Sequence, residues 1–484
     1  MKARERLIIM GAKKNKKYKT LIQFTGNNYD DVTGSSTLVD YRKDRFLVDF
    51  GFIQHSNKKD QYLMNKKSMG FGVKSLKNVL ITHFGHVDHA GMLPALFNNG
   101  FNGKIYTPPN SKEYAKITFK DNLKILNKDI EYLKKSYNKD YKPFYEQEDV
   151  DKMIDHIIEC DFYKEYKISE YTTIKFLPNY HIMNSASIIV NIEDKPKNYH
   201  KTIAFTGDIG NISIPNKPFL DGFEAIKRCD VLIPETTYAM NNKHNGIKTR
   251  EKEELKIRET IIETIKNNAR MIFCVFANQR TEEILYTLYK NRDIITVPVV
   301  IDSPLAVKLL KFYSETMTGE NKKMIDEIIS WDKLTLIEDY NKSVAFMNSN
   351  QSALICACSG FLCAGRVLNY LKKELPKKDS YVIFTGYNGG EGSLGYKIMN
   401  NSQVEIDNRK YGKKATPIQL KSFSSHINHN SMLKYYSEID SRLIFLNHGD
   451  KEKQYPFADL LQERLDKKGY GKVFIPQRND TYYI

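Results

Sequence analysis

Residues 81–91 read ITHFGHVDHAG and place His83, His86, Asp88 and His89 within seven positions, in a chain with 11 histidines in all. Three imidazoles and a carboxylate packed that densely would repel or desolvate one another without a cation among them. Nitrogen and oxygen donors of this kind suit zinc, with manganese as the alternative. Farther along, His181 stands in LPNYHIMNSAS, Asp208 in IAFTGDIG, His426 in KSFSSHINH and His448 in RLIFLNHGD. These residues recur where a strand-forming run gives way to a loop, the edge at which layered α/β and αββα folds build their sites. His55, His156, His200, His244 and His429 lack that setting and are expected to face solvent or pack locally.

The elements that would carry these residues follow from pattern. TLVDY (37–41) and RFLVDF (45–50) flank a charged turn as in a hairpin, VLITH (79–83) is a buried-type strand, and AGMLPALF (90–97) opens a helix. Residues 110–160 read mainly as helix, and TTIKFL, SASIIVNI and TIAFTGD return to strand. After residue 240 a helix with an N-cap candidate at Thr249 precedes MIFCVFA, RTEEILYTLYKN, TVPVVID and PLAVKLLKFYSET, an alternation that marks a parallel α/β unit.

Composition narrows the function classes. The chain has 484 residues, 41% of them hydrophobic and 12% aromatic, which is enough for real cores and against wholesale disorder. No apolar run approaches the roughly 18 residues of a membrane span. The basic N-terminal stretch has an apolar core, LIIM, too short for a signal peptide. Six scattered cysteines form no CxxC pair, so a reducing cytoplasmic setting with mostly buried thiols is expected. The net charge of +16 favours a polyanionic partner, although a Lys-, Asn- and Ile-rich composition accounts for part of it.

Taken in order, these motifs resemble the metallo-β-lactamase fold and, within it, the β-CASP nucleases. DVTGSS (31–36), FLVDFGFIQ with Asp49, H-x-x-H-x-D-H, the TGD of Asp208 and LIPETTY (232–238) with Glu235 are followed by FANQRTEEIL, IDSPLA, CSGFLCAGRVLNYL and GYNGGEGSLGYKI, then FSSHIN and FLNHGD. The likeness is nearest to the RNA endonucleases related to the cleavage subunit of the pre-mRNA 3′-end machinery, and next to the RNase J type. It implies an α/β chain: a metallo-β-lactamase αββα sandwich over 1–238 and 422–484, interrupted by a parallel-sheet β-CASP domain over 239–421, with the active site in the cleft between them. It also implies two zinc ions, with manganese as the alternative. His83, His86 and His181 would hold one, Asp88, His89 and His448 the other, and Asp208 would bridge. A metal-activated hydroxide would hydrolyse RNA phosphodiesters to 3′-hydroxyl and 5′-phosphate ends. Asp88, Glu235 and His426 would be catalytic, with His426 as the general acid, and Asp49 would stand behind the ligands. Ser359, Gly360 and Arg366 would cradle substrate phosphates, the alternative being ordinary entry into a helix.

Three departures bear on that resemblance. The family has one residue between the first two histidines; here Phe84 and Gly85 both intervene. Either His83 and His86 are both ligands with Gly85 bulged out, which is favoured because glycine tolerates a distorted backbone, or Phe84 occupies the first ligand position. Tyr180 and Asn184 stand where glycines are usual, and Asn428 replaces an acid near His426, which is expected to lower the pKa of that histidine. The expected partner is single-stranded RNA, with no membrane; a homodimer is left open. The rival readings are a catalytically weak RNA-binding scaffold, an RNase J-like 5′–3′ exonuclease, and hydrolysis of a small ester.

Overall fold

A computed structural model describes residues 19–26, 32–67, 69–240 and 246–484. Most of the basic N-terminal stretch, Asp31 of DVTGSS and His244 lie outside the described residues. The chain divides into two compact units. Unit 1 takes residues 1–212, 221–242 and 426–484, and unit 2 takes 213–220 and 243–425. The segment 213–220, which the sequence reading left in the first domain, falls in the second.

Unit 1 is built on two mixed seven-stranded sheets. The first runs Thr481–Tyr483, Leu21–Gln23, Thr37–Tyr41, Asp44–Val48, Asn78–Leu80, Lys104–Thr107, Ile157–Glu159; the second runs Lys472–Phe474, Asp440–Phe445, Arg228–Ile233, Tyr199–Phe205, Ala186–Asp194, Thr172–Pro178, Glu165–Lys167. Alternating burial along Thr172–Pro178 and Ala186–Asp194 is the period-two signature of strands with one core face. That face meets the first sheet: Ile22, Val39, Phe46 and Val48 share one core with Phe176, Ile188, Val190, Phe205 and Val231. The far face of the second sheet is closed by the helices His429–Glu438 and Lys451–Lys468 through Met432, Tyr436, Phe457 and Leu461. On the first sheet's side, the long helix Ser111–Tyr137 and the helix Gln147–Asp155 pack together. This is the αββα sandwich expected from sequence.

Unit 2 is an all-parallel six-stranded sheet ordered Leu334–Leu336, Val299–Asp302, Ala353–Ala357, Arg270–Cys274, Tyr381–Phe384, Thr416–Gln419. Every residue of Arg270–Cys274 and Ala353–Ala357 is buried, as in strands covered on both faces. The helix leading into it spans Ile247–Lys266 with Gly246 at its N-cap, so Thr249 lies inside the first turn and is not the cap. Among the described residues, no helix is long and apolar enough to cross a membrane.

Candidate metal centre

In the second sheet, Tyr199–Phe205, Arg228–Ile233 and Asp440–Phe445 are parallel neighbours. Asp208, Glu235 and His448 come from the loops that leave their carboxyl ends. In the first sheet, Asp49 directly follows Asp44–Val48, and the His83 loop follows the parallel neighbour Asn78–Leu80. The 83–91 loop is clamped by backbone hydrogen bonds: Ser35 and Phe50 donate to the carbonyls of Asp88 and His89, and Phe52 donates to that of Val87. Gly51 makes that approach possible, since a Cβ there would lie 1.6 Å from the Asp88 carbonyl oxygen.

The donor atoms fall into two groups that share one residue. Nδ1 of His86 lies 3.4 Å from Nε2 of His83 and 3.3 Å from Nε2 of His181. Oδ2 of Asp208 joins them, 3.6 Å from Nε2 of His181. In the second group the Nε2 atoms of His89 and His448 are 3.2 Å apart, and Oδ2 of Asp88 lies 3.4 Å from Nε2 of His448. Oδ1 of Asp208 faces this group, 3.2 Å from Nε2 of His89.

These distances fit divalent cations. For cation–nitrogen bonds of roughly 2.0–2.1 Å, tetrahedral ligands stand about 3.3–3.4 Å apart, close to the spacings found. Asp208 is 1% exposed, and its oxygens lie 3.2 to 3.6 Å from imidazole nitrogens of His89, His181 and His448. A carboxylate this deeply buried needs positive charge beside it, which protonated imidazoles or a cation would supply. Burial and the surrounding imidazoles hold His83 and His181 well below the ordinary histidine range, which favours the neutral form that a cation requires. Burial opposes the charge on Asp88 and Asp208, but the neighbouring histidines outweigh it and lower both carboxyls.

Hydroxyls and a carboxylate orient the donors from behind. Asp49 Oδ2 lies 2.8 Å from Nδ1 of His89, and Asp49 accepts from the Thr82 amide at 2.8 Å and the Thr82 hydroxyl at 2.9 Å. Thr82 Oγ1 also lies 3.1 Å from Nδ1 of His83, and Thr237 Oγ1 lies 3.0 Å from Nδ1 of His448. The inner nitrogens of His83, His89 and His448 are thus occupied and the outer ones are turned toward the other donors. Thr82 and Thr237 were not singled out from sequence; their only signal was adjacency to His83 and closeness to Glu235. Asp49, Tyr180, Asn184 and His448 all have left-handed φ (57°, 65°, 59° and 49°), a concentration of strained backbone around one site.

Beside the donor groups, Glu235 holds His426. Its carboxylate oxygens lie 3.2 and 3.3 Å from Nδ1 of His426 and accept from the amides of Ile209 (2.6 Å) and Thr237 (3.3 Å). The His426 ring lies 4.7 Å from that of His181 and is the more accessible partner, its side chain 18% exposed against 1% for Glu235. Burial pulls the His426 pKa down, but Glu235, with Asp208 and Asp88 behind it, leaves it raised. Asn428 places no charge of its own beside that pair. Asn428 instead caps the helix His429–Glu438, accepting from the Ser431 amide, and donates to Asn211.

With the inserted residue in place, His83 and His86 both stand in the first donor group. Gly85 has no left-handed φ. Phe84 is buried with its ring against Phe119, while His83 turns toward His86 and His181. Ser359, Gly360 and Arg366 lie in unit 2. The Arg366 guanidinium is engaged internally, donating to Asp302 at 2.5 Å and to the carbonyls of Ile337 and Glu338, so it anchors its helix and is not open toward a phosphate. His429 is buried at its helix start against Phe457 and donates to the Ala239 carbonyl.

Such a sandwich with histidine and aspartate donors at its strand ends defines a metallo-β-lactamase-type hydrolase. Residues 29–195 match the metallo-beta-lactamase superfamily, 281–398 the Beta-Casp domain, and 411–476 the Zn-dependent metallo-hydrolase RNA specificity domain. The chain thus carries, in order, the metallo-beta-lactamase, Beta-Casp and RNA specificity domains that characterise the β-CASP nucleases. It is 26% identical over 442 residues to Ribonuclease TTHA0252 of Thermus thermophilus, covering 90% of this chain and 94% of that protein. It is 26% identical over 431 residues to Transcription termination factor FttA of Methanocaldococcus jannaschii, covering 86% of this chain and 64% of that longer protein. A crystal structure of a protein of unknown function from Enterococcus faecalis shares the fold, with a TM-score of 0.56 at 14% identity over 96% of this chain and all of that one.

Proposed function

We propose that the protein is a metal-dependent ribonuclease that hydrolyses RNA phosphodiesters at the unit 1 site, leaving 3′-hydroxyl and 5′-phosphate ends. The observation that carries this reading is the pair of donor groups sharing Asp208, with the Glu235–His426 pair beside them. His83, His86 and His181 with Asp208, and Asp88, His89 and His448 with Asp208, would each hold one divalent cation, zinc being the natural choice for such donors. Bound there, two cations supply Lewis acidity that favours attack by water and neutralises charge on the phosphodiester. His426 gives a proton to the leaving 3′ oxygen. Glu235 fixes the tautomer of His426 and favours its charged form. Asp49 and Thr82 hold His89 and His83 in their ligating orientation. The names of the relatives and the RNA specificity match support RNA as the substrate.

The test is a competition between labelled single-stranded RNA with a blocked 5′ end and single-stranded DNA of the same sequence, read by product length. Internal cuts in the RNA alone are expected. A requirement for a free 5′-monophosphate with release of mononucleotides would replace endonuclease by 5′–3′ exonuclease action, and equal turnover of DNA would remove the RNA assignment.

A further inference from the structure

Unit 2 carries an aromatic cluster that the metal centre does not use. Ala353–Ala357, Arg270–Cys274 and Tyr381–Phe384 are three adjacent parallel strands, and the loop leaving the carboxyl end of each supplies one ring: Phe361, Phe276 and Tyr387. Phe276 meets Phe361 edge to face, with centroids 4.9 Å apart and planes at 84°, and Phe361 meets Tyr387 at 6.3 Å and 81°. Phe276 is half-buried, whereas Phe361 and Tyr387 are 40% and 50% exposed. The frame behind them is braced: the Thr385 hydroxyl donates to the Cys274 carbonyl at 2.9 Å, and Arg280 donates to the Thr385 carbonyl at 2.6 Å. Gly360 explains itself here, since a Cβ at that position would lie 2.8 Å from the Phe276 ring. Two other exposed rings, Tyr132 and Tyr137, lie under the ammonium groups of Lys58 and Lys59.

We infer that Phe361 and Tyr387 form a stacking platform for unpaired bases of single-stranded RNA. This rests on the ribonuclease reading above and adds a binding site to it. The carboxyl edge of a parallel sheet is where such folds seat ligands. The exposed groups are rings rather than aliphatic chains, and every base offers a π-face to a ring, so the platform accepts RNA without reading its sequence. A net charge of +16 draws a polyanion to this chain and repels a second copy of it.

The experiment measures binding of the full-length protein, with chelator present to prevent cleavage, to a short oligoadenylate and to an abasic strand of the same length. Phe361→Ala and Tyr387→Ala should each weaken oligoadenylate binding by about 5- to 100-fold while leaving its salt dependence unchanged, and Tyr387→Phe should retain it. The wild-type protein should prefer the strand that carries bases. Alanine variants that bind as wild type does, or equal binding of the abasic strand, would overturn the platform and leave the ribonuclease reading standing. Failure of the wild-type protein to bind any single-stranded RNA would instead bring down that reading, and the platform with it. If the alanine variants turn a dimer into a monomer with RNA affinity intact, the rings are a self-association face and the inference is wrong.

Discussion

Glu235 sits at the junction of two tasks. It accepts from the amides of Ile209 and Thr237, which fixes the loops carrying Asp208 and its own motif, and it pairs with His426. Removing His426 should therefore remove proton transfer without disturbing the ligands. We expect His426→Ala to retain its metal and its RNA binding and to lower the cleavage rate by about 10²- to 10⁴-fold. Loss of metal from that variant would make His426 a ligand or a structural residue. The ligands themselves predict a proton balance. Burial lowers the pKa of His89 and His448, but the neighbouring carboxylates outweigh it and leave both raised. In the metal-free protein they hold protons above the ordinary histidine range, and a cation must displace those protons. Metal affinity should thus rise with pH through and above that range, with protons released on binding; isothermal titration in two buffers of different ionisation enthalpy measures this. A proton count of zero would contradict the assignment of His89 and His448. At this scale the dense His–Asp motif was legible because its residue types are rare and tightly spaced. Thr82 and Thr237 were not, because hydroxyl residues are common and only the fold shows which ones face an imidazole.

The elements were legible where pattern is strong and obscure where a local device overrides it. The alternating strands of unit 1 and the wholly buried parallel strands of unit 2 follow from periodicity and β-branched runs. The helix beginning at Ile247 starts earlier than its Thr249 signal, because Gly246 takes the N-cap instead. Around the two residues between His83 and His86, Gly85 has no left-handed φ and Phe84 is buried against Phe119. The helix Arg280–Lys290 holds a further feature that no pattern reveals. Glu282, in its first turn, is fully buried, and burial pushes its pKa up to about 8 despite opposing backbone amides. A carboxyl that is protonated when folded and ionised when unfolded costs stability as pH rises from about 4.5 to about 8, by up to about 1.4 kcal/mol per pH unit. Glu282→Gln should remove that slope. Urea midpoints followed at pH 5, 6.5 and 8 should show the variant gaining on the wild type as pH increases, and parallel profiles would contradict it.

Across the whole molecule, the charge of +16 and the RNA specificity match point to the same partner. RNA affinity should fall linearly in log–log form as salt is raised, because phosphate contacts release counterions. An affinity indifferent to salt would leave the basic composition without a role in binding. The two donor groups that share Asp208 are probed by a metal titration of the chelated chain, with bound metal per chain and cleavage of 5′-blocked single-stranded RNA followed together. The metal-free protein should not cleave, and activity should become full as occupancy approaches two divalent cations per chain. Undiminished cleavage after chelation, or an inert protein with both positions filled, would contradict the two-cation assignment.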